Sequence, residues 1–403
     1  MVLSALNVVA VLILGFGVVS QRLREGYLSP PMIFTAVGLL TGPAGLGWLE
    51  IDPVKESTRL LLELTLIIIL FSDAAHIRFG SFWREERIAL RLLSIGMPVC
   101  LLVGALFAYL IFDHLTIFDA LLVAAVLTPT DAALAASCIN SPQLPQKLAD
   151  TVEVEAGLND GLILPVISFL LIGENIGYAE QTWLYWARFF LQQVVGGAFV
   201  GIAVAFFAGR MVVQATTRKW MNERFQKLAT IAIALLAFGM AEALGSNGFV
   251  SAFVAGLTIS HKVPQLCTSI QQFTSVEGEL LSLLTFMVFG AALVPFCCYV
   301  EGWPLLLFVM LFLIVVRWTS VQCSLLGSGL STSHKLFLAW CGPRGVATVL
   351  FGLFVLESFG ADARLPIFRI VNATVLASII FHGLTSLPMS RWFQRQLPKK
   401  ASS

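Results

Sequence analysis

The 403-residue chain is 58% hydrophobic and 12% charged, with a formal net charge of +1. Soluble domains carry roughly 25% charged residues, so this composition excludes an ordinary globular or disordered protein, and the balanced charge points to no nucleic-acid partner. A polytopic, all-α membrane protein remains, because a stretch of about 20 apolar residues satisfies its own backbone in lipid only as a helix.

In chain order the sequence predicts thirteen spans, near 2–20, 31–48, 58–75, 88–112, 118–138, 146–172, 183–209, 226–244, 247–261, 278–300, 304–326, 334–356 and 366–389. The first lacks a basic n-region and a convincing cleavage site, so it reads as a retained span rather than a signal peptide. The stretch after the last is expected to be too short for a further domain. Basic residues fall on alternate links: Arg22, Arg24, Arg78, Arg84, Arg87, Arg91, Lys147, Arg210, Arg218, Lys219, Arg224, Lys227, Lys262, Lys335, Arg391, Arg395, Lys399 and Lys400 on one side. The other side carries only Lys55, Arg59 and Arg364. This asymmetry predicts an N-terminus outside and a C-terminus in the cytoplasm, which requires an odd number of spans.

Two spans are interrupted. The fifth carries Thr128-Pro129-Thr130-Asp131 and the twelfth Cys341-Gly342-Pro343-Arg344-Gly345. Spans 1–6 and 8–13 then form two six-helix repeats crossing in opposite senses, with span 7 between them. Paired breaks in inverted repeats point to a transporter's midplane site, although Pro and Gly are also common in membrane helices generally. The seven cysteines show no metal spacing and read as small apolar residues.

Charged residues at depth are costly and must line a cavity or pair with one another. Those expected deepest are Asp131 in span 5, Glu153, Glu155 and Asp160 in span 6, and Arg344 in span 12; Asp73, Arg188, Glu242, Arg317 and Arg369 are nearer span ends or of uncertain depth. For Glu155 and Arg344 a structural ion pair is expected. Glu155 and Asn159 are four residues apart and share a helix face, whereas Asp160 shares its face with Glu153. Glu153, about 10 Å nearer the cytoplasm at roughly 1.5 Å per residue, would belong to an access funnel. The break at Pro129 frees carbonyls beside Asp131, Thr128 and Thr130. Such oxygen ligands suit a small hard cation rather than an organic solute. No cofactor is implied.

The segment LTPTDAALAASCINSPQLPQKLADTVEVEAGLNDGLILPVISFLL, with ILFSDAAHIRF, ALGSNGFVSAFVAGL and GPRGVATVL, resembles the NhaP-type sodium/proton antiporters of the cation:proton antiporter-1 family. The resemblance implies a secondary-active antiporter of the inner membrane rather than an enzyme. Asn159-Asp160 would be the family's Asn-Asp motif, with Asp160 alternately binding cation and proton. Asp131 and the Thr130 backbone would complete the cation site, and Asp73 stands where the family often has Glu. Glu155 and Arg344 would match its buried ion pair. Ala156 stands where a Ser is frequent, a departure that bears on ion selectivity.

The resemblance further implies a homodimer. Residues 1–75 and 226–300 would form the dimerisation region, 88–172 and 304–389 the moving ion-carrying core, and 183–225 a linker helix and connector. With Asn159 uncharged, Asp160 is the single exchanging carboxylate, which favours electroneutral one-for-one exchange of Na⁺, or Li⁺, for H⁺. The rivals are K⁺/H⁺ exchange at the same site, a cation channel, and an intramembrane aspartyl enzyme built on Asp131 and Asp160.

Overall fold

In a computed structural model the structure describes residues 2–24, 28–49, 51, 55–76, 87–131, 134, 135, 139, 144–176, 182–263, 266–297, 302–359 and 361–396. Among these every regular element is helical, as the composition requires of a chain in lipid. In order they are α1 (Val2–Arg24), α2 (Pro30–Thr41), α3 (Glu56–His76), α4 (Arg87–Ile111), α5 (Ile117–Leu127), α6 (Gln146–Ile176) and α7 (Trp183–Thr217). There follow α8 (Glu223–Ala243), α9 (Gly248–Lys262), α10 (Cys267–Val288), α11 (Trp303–Ser324), α12 (Thr332–Trp340), α13 (Val346–Phe359) and α14 (Ala361–Gln396). By length and composition α4, α7, α8 and α11, with Gln146–Gly173 and Leu365–Gln396, can each cross a membrane.

Boundaries differ from the expected spans where local chemistry intervenes. The second span stops at Thr41, because Gly42 and Pro43 end α2 and the chain turns through Gly47 at φ +67°. The tenth begins earlier, at Cys267. The fifth and twelfth are broken as the sequence predicts: α5 ends at Leu127, and residues 341–345 separate α12 from α13. Part of the fifth span (132–133 and 136–138) lies outside the described residues, as do Arg78, Arg84, Lys399 and Lys400.

The chain groups into two compact units. The first holds residues 1–55, 88–156 and 283–403. In it α2 lies against the π turn Phe289–Leu293 at the end of α10. The approach is close enough that a Cβ on Gly38 would strike the Met287 backbone, and one on Gly290 the Thr35 carbonyl. Such small-residue contacts are how helices pack where burial from lipid contributes nothing. Leu92, Leu148, Val152, Val321, Phe337, Leu338 and Phe393 form its apolar cluster.

The second unit holds residues 56–87 and 157–282. Its core joins Ile67 and Phe71 of α3 to Ala237 and Ala241 of α8 and to Ala252, Ala255 and Ile259 of α9. Helices α7 and α9 run parallel: Gly197 faces Asn247, Gly201 faces Ser251 and Gly209 faces Val263. The continuous helix α6 passes from the first unit to the second between Ala156 and Gly157.

Candidate functional site

The two helix breaks of the first unit are bound to each other. The Asp131 amide donates to the Pro343 carbonyl at 2.9 Å. The Asp131 carboxylate then divides its work: Oδ2 accepts from the amide of Val346, first residue of α13, at 2.8 Å, and Oδ1 from the Leu134 amide at 3.1 Å. One side chain therefore caps the N-terminus of α13, where orphan N–H groups and the positive dipole end both favour a carboxylate, and also holds the Leu134 amide. Gly345 is required by this arrangement, since a Cβ there would collide with the same carboxylate. Thr130 is buried in the break, and the Thr128 hydroxyl returns to the Ala124 carbonyl at 2.7 Å.

The other half of the crossing is anchored by α14. The Arg344 amide donates to Ser378 Oγ at 2.7 Å, and Ser378 Oγ lies 3.1 Å from His382 Nδ1. Ser378 and His382 are four residues apart, so one face of α14 presents both to the break. Neither is among the residues expected from the sequence. A polar pair at helical spacing inside an apolar span was the available signal.

Glu155 and Arg344 do not form the expected pair. Glu155 is bound by Arg317 of α11, with Nη1 to Oε1 at 2.5 Å and Nη2 to Oε2 at 2.9 Å. Both residues are buried, and Arg317 Nη2 also donates to the Leu338 carbonyl at 3.2 Å. Arg344 is fully buried as well, but its guanidinium turns to the Gly342 carbonyl at 2.6 Å, to Cys100 Sγ at 3.7 Å and to the face of Phe312. The reason lies in α11: a π turn, Leu311–Val316, immediately precedes Arg317. Its wider turn brings residues five apart to one side, so Phe312 and Arg317 both face inward, a register that ordinary helical spacing would not give.

In the second unit Asp160 and Asn159 are buried on α6, one turn beyond the stretch that carries Glu155. Asp73 of α3 lies against this helix: a Cβ on Gly157 would stand 3.2 Å from the Asp73 Cβ. Gly157 and Asp160 are three residues apart, so the close approach places Asp73 beside the face that carries Asp160. Gly161 faces the Phe253 ring, which backs the same turn with an apolar wall. Glu153, about two turns into the helix, is exposed. The first unit thus holds Thr130, Asp131, Glu155 and Arg344, and the second holds Asp73, Asn159 and Asp160. A buried carboxylate flanked by an amide and a second carboxylate offers oxygen ligands to a hard cation and can take up a proton in its place.

Residues 8–392 match the model of the transmembrane sodium/hydrogen exchanger family. The chain is 25% identical over 404 residues to the K(+)/H(+) antiporter NhaP of Alkalimonas amylolytica, covering 99% of this chain and 67% of that protein. It is 26% identical over 384 residues to the K(+)/H(+) antiporter NhaP2 of Shewanella sp. strain ANA-3, covering 95% and 65%. The chain thus spans about two thirds of the length of these curated relatives. Its fold matches the structure of the sodium proton antiporter MjNhaP1 from Methanocaldococcus jannaschii at pH 8, with a TM-score of 0.76 and 18% identity over 98% of this chain and 99% of that one.

Proposed function

The chain belongs to the transmembrane sodium/hydrogen exchanger family, and from that premise we propose that it exchanges a monovalent cation for H⁺ by alternating access. The observation that carries the proposal is the placement of Asn159 and Asp160, both buried, on a helix whose preceding turn is pinned by the Glu155–Arg317 pair. Asp160 carries the exchanged charge. A proton on its carboxylate removes the attraction for the cation, so one site holds either ion but not both. Asn159 and Asp73 stand beside it, while Asp131 and Thr130 keep the supporting role implied by the family resemblance. With one exchanging carboxylate the cycle is electroneutral.

Na⁺ is the proposed cation, with Li⁺ as its surrogate. K⁺ is the second reading, favoured by the names of the NhaP and NhaP2 relatives. The dyad of an aspartyl enzyme is disfavoured, because both Asp131 oxygens accept backbone N–H groups. The proposal places the protein in the inner membrane as a homodimer, N-terminus outside and C-terminus cytoplasmic. The parallel course of α7 and α9 supports that orientation, since it brings Arg210 and Lys262 to the same end. The moving core is assigned to 88–172 with 304–389, and the dimerisation region to 1–75 with 226–300. The test is proton flux in proteoliposomes challenged with Na⁺, Li⁺ and K⁺ in turn. Saturable, cation-driven flux is expected, strongest with Na⁺; flux driven by none of the three would overturn the proposal.

A further inference from the structure

The parallel pair α7 and α9 encloses a surface groove of about 610 Å³ that the exchange chemistry does not use. Along α7 it is lined by Phe199, Ile202, Phe206 and Phe207, and along α9 by Val254 and Leu257. These positions recur at helical spacing, so the groove follows both helix axes. At the C-terminal end its character changes. Lys262 closes the apolar groove and also lines an adjoining cavity of about 490 Å³, with Arg210, Gln214 and Thr217.

We propose that this composite groove binds an anionic phospholipid, its chains along α7 and α9 and its phosphate between Arg210 and Lys262. The dimensions fit. From Phe199 to Arg210 the helix rises about 16 Å, close to the ~15 Å depth of one leaflet's hydrocarbon. Phe199 and Phe207 are 71% and 67% exposed, which is compatible with a hydrocarbon neighbour and costly against water. The polar end is also where the membrane surface should lie. The Arg210 guanidinium sits 4.0 Å over the Phe206 ring, at the boundary between the apolar and basic halves. Beyond it α7 ends at Thr217, and Trp220 is 74% exposed beside Arg218, as interfacial aromatics are. Two cations converging with a hydroxyl and an amide complement a phosphodiester, whereas a second copy of the chain would have to bring an acid to that corner.

Native mass spectrometry of the full chain, titrated with phosphatidylglycerol or phosphatidylcholine of matched acyl chains, tests this. The wild type should bind phosphatidylglycerol more tightly, and the double variant Arg210→Gln/Lys262→Gln should lose about 30-fold of that preference. Ile202→Trp, which fills the apolar half, should weaken both lipids alike. Equal binding of the two lipids, an unchanged preference in the double variant, or displacement of the lipid by inorganic phosphate alone would overturn the proposal. So would a dimer that carries no lipid and dissociates in Ile202→Trp, since the groove would then be an interface between copies.

Discussion

Arg317, not Arg344, should be energetically coupled to Glu155, and a double-mutant cycle can measure this directly. The pair makes two charge-assisted hydrogen bonds, at 2.5 and 2.9 Å, with Arg317 5% and Glu155 4% exposed. Replacing either side chain by Gln leaves one charge buried without its counter-ion, a loss of about 3–5 kcal/mol. The Arg317 variant also forfeits the bond to the Leu338 carbonyl that ties α11 to α12. Removing both charges together leaves no orphan, so the double variant Glu155→Gln/Arg317→Gln should recover about 3 kcal/mol of the summed losses, the upper end for residues in direct contact. Denaturation in mixed micelles, with melting temperature in detergent as a second reading, supplies the four corners of the cycle. The same cycle with Arg344→Gln should give a clearly smaller coupling, because the Arg344 guanidinium is bound to Gly342 and Cys100. Coupling below about 0.5 kcal/mol for Arg317, or a larger value for Arg344, would refute the assignment.

Gly345→Ala should push Asp131 off the N-terminus of α13 and cost at least the ~0.5–2 kcal/mol of a lost cap; an unchanged melting temperature would contradict the contact. Asp131→Asn, which swaps one accepting oxygen for an amide, should lower both stability and flux, measured side by side in detergent and in vesicles. Exchange should be electroneutral, so clamping the vesicle potential should leave its rate unchanged, and a clear net charge per turnover would contradict the one-carboxylate scheme. A cysteine placed at Asn222, between α7 and α8, should be labelled from the cytoplasmic face only; labelling from outside would reverse the topology.

Much of the architecture was legible because lipid leaves a chain few choices: apolar length alone set the helices, and Pro129 and Pro343 marked the breaks. That the breaks touch was not legible, since the Asp131–Pro343 and Asp131–Val346 bonds join residues more than 200 positions apart. The same carboxylate reads as a cation ligand because the break at Pro129 frees oxygen ligands beside it, although its two oxygens accept the Leu134 and Val346 amides. The role of Arg317 is hidden for a different reason. From sequence it lies nearer a span end or at uncertain depth, and the π turn at Leu311–Val316 is what sets it inward with Phe312. Asp73 shows the opposite case, a residue that approaches the Asp160 helix closely where Gly157 carries no side chain.

In the proposed cycle Asp160 is the carboxylate that trades cation for proton. The most direct measurement is cation-driven proton flux by Asp160→Asn in proteoliposomes, across the full working pH range, beside wild type. Asn keeps the volume and one ligating oxygen but cannot exchange a proton, so the variant should insert and melt near wild type yet show no flux with Na⁺, Li⁺ or K⁺ at any pH. Substantial pH-dependent exchange by the folded variant would show that the proton travels on another group and would contradict the mechanism.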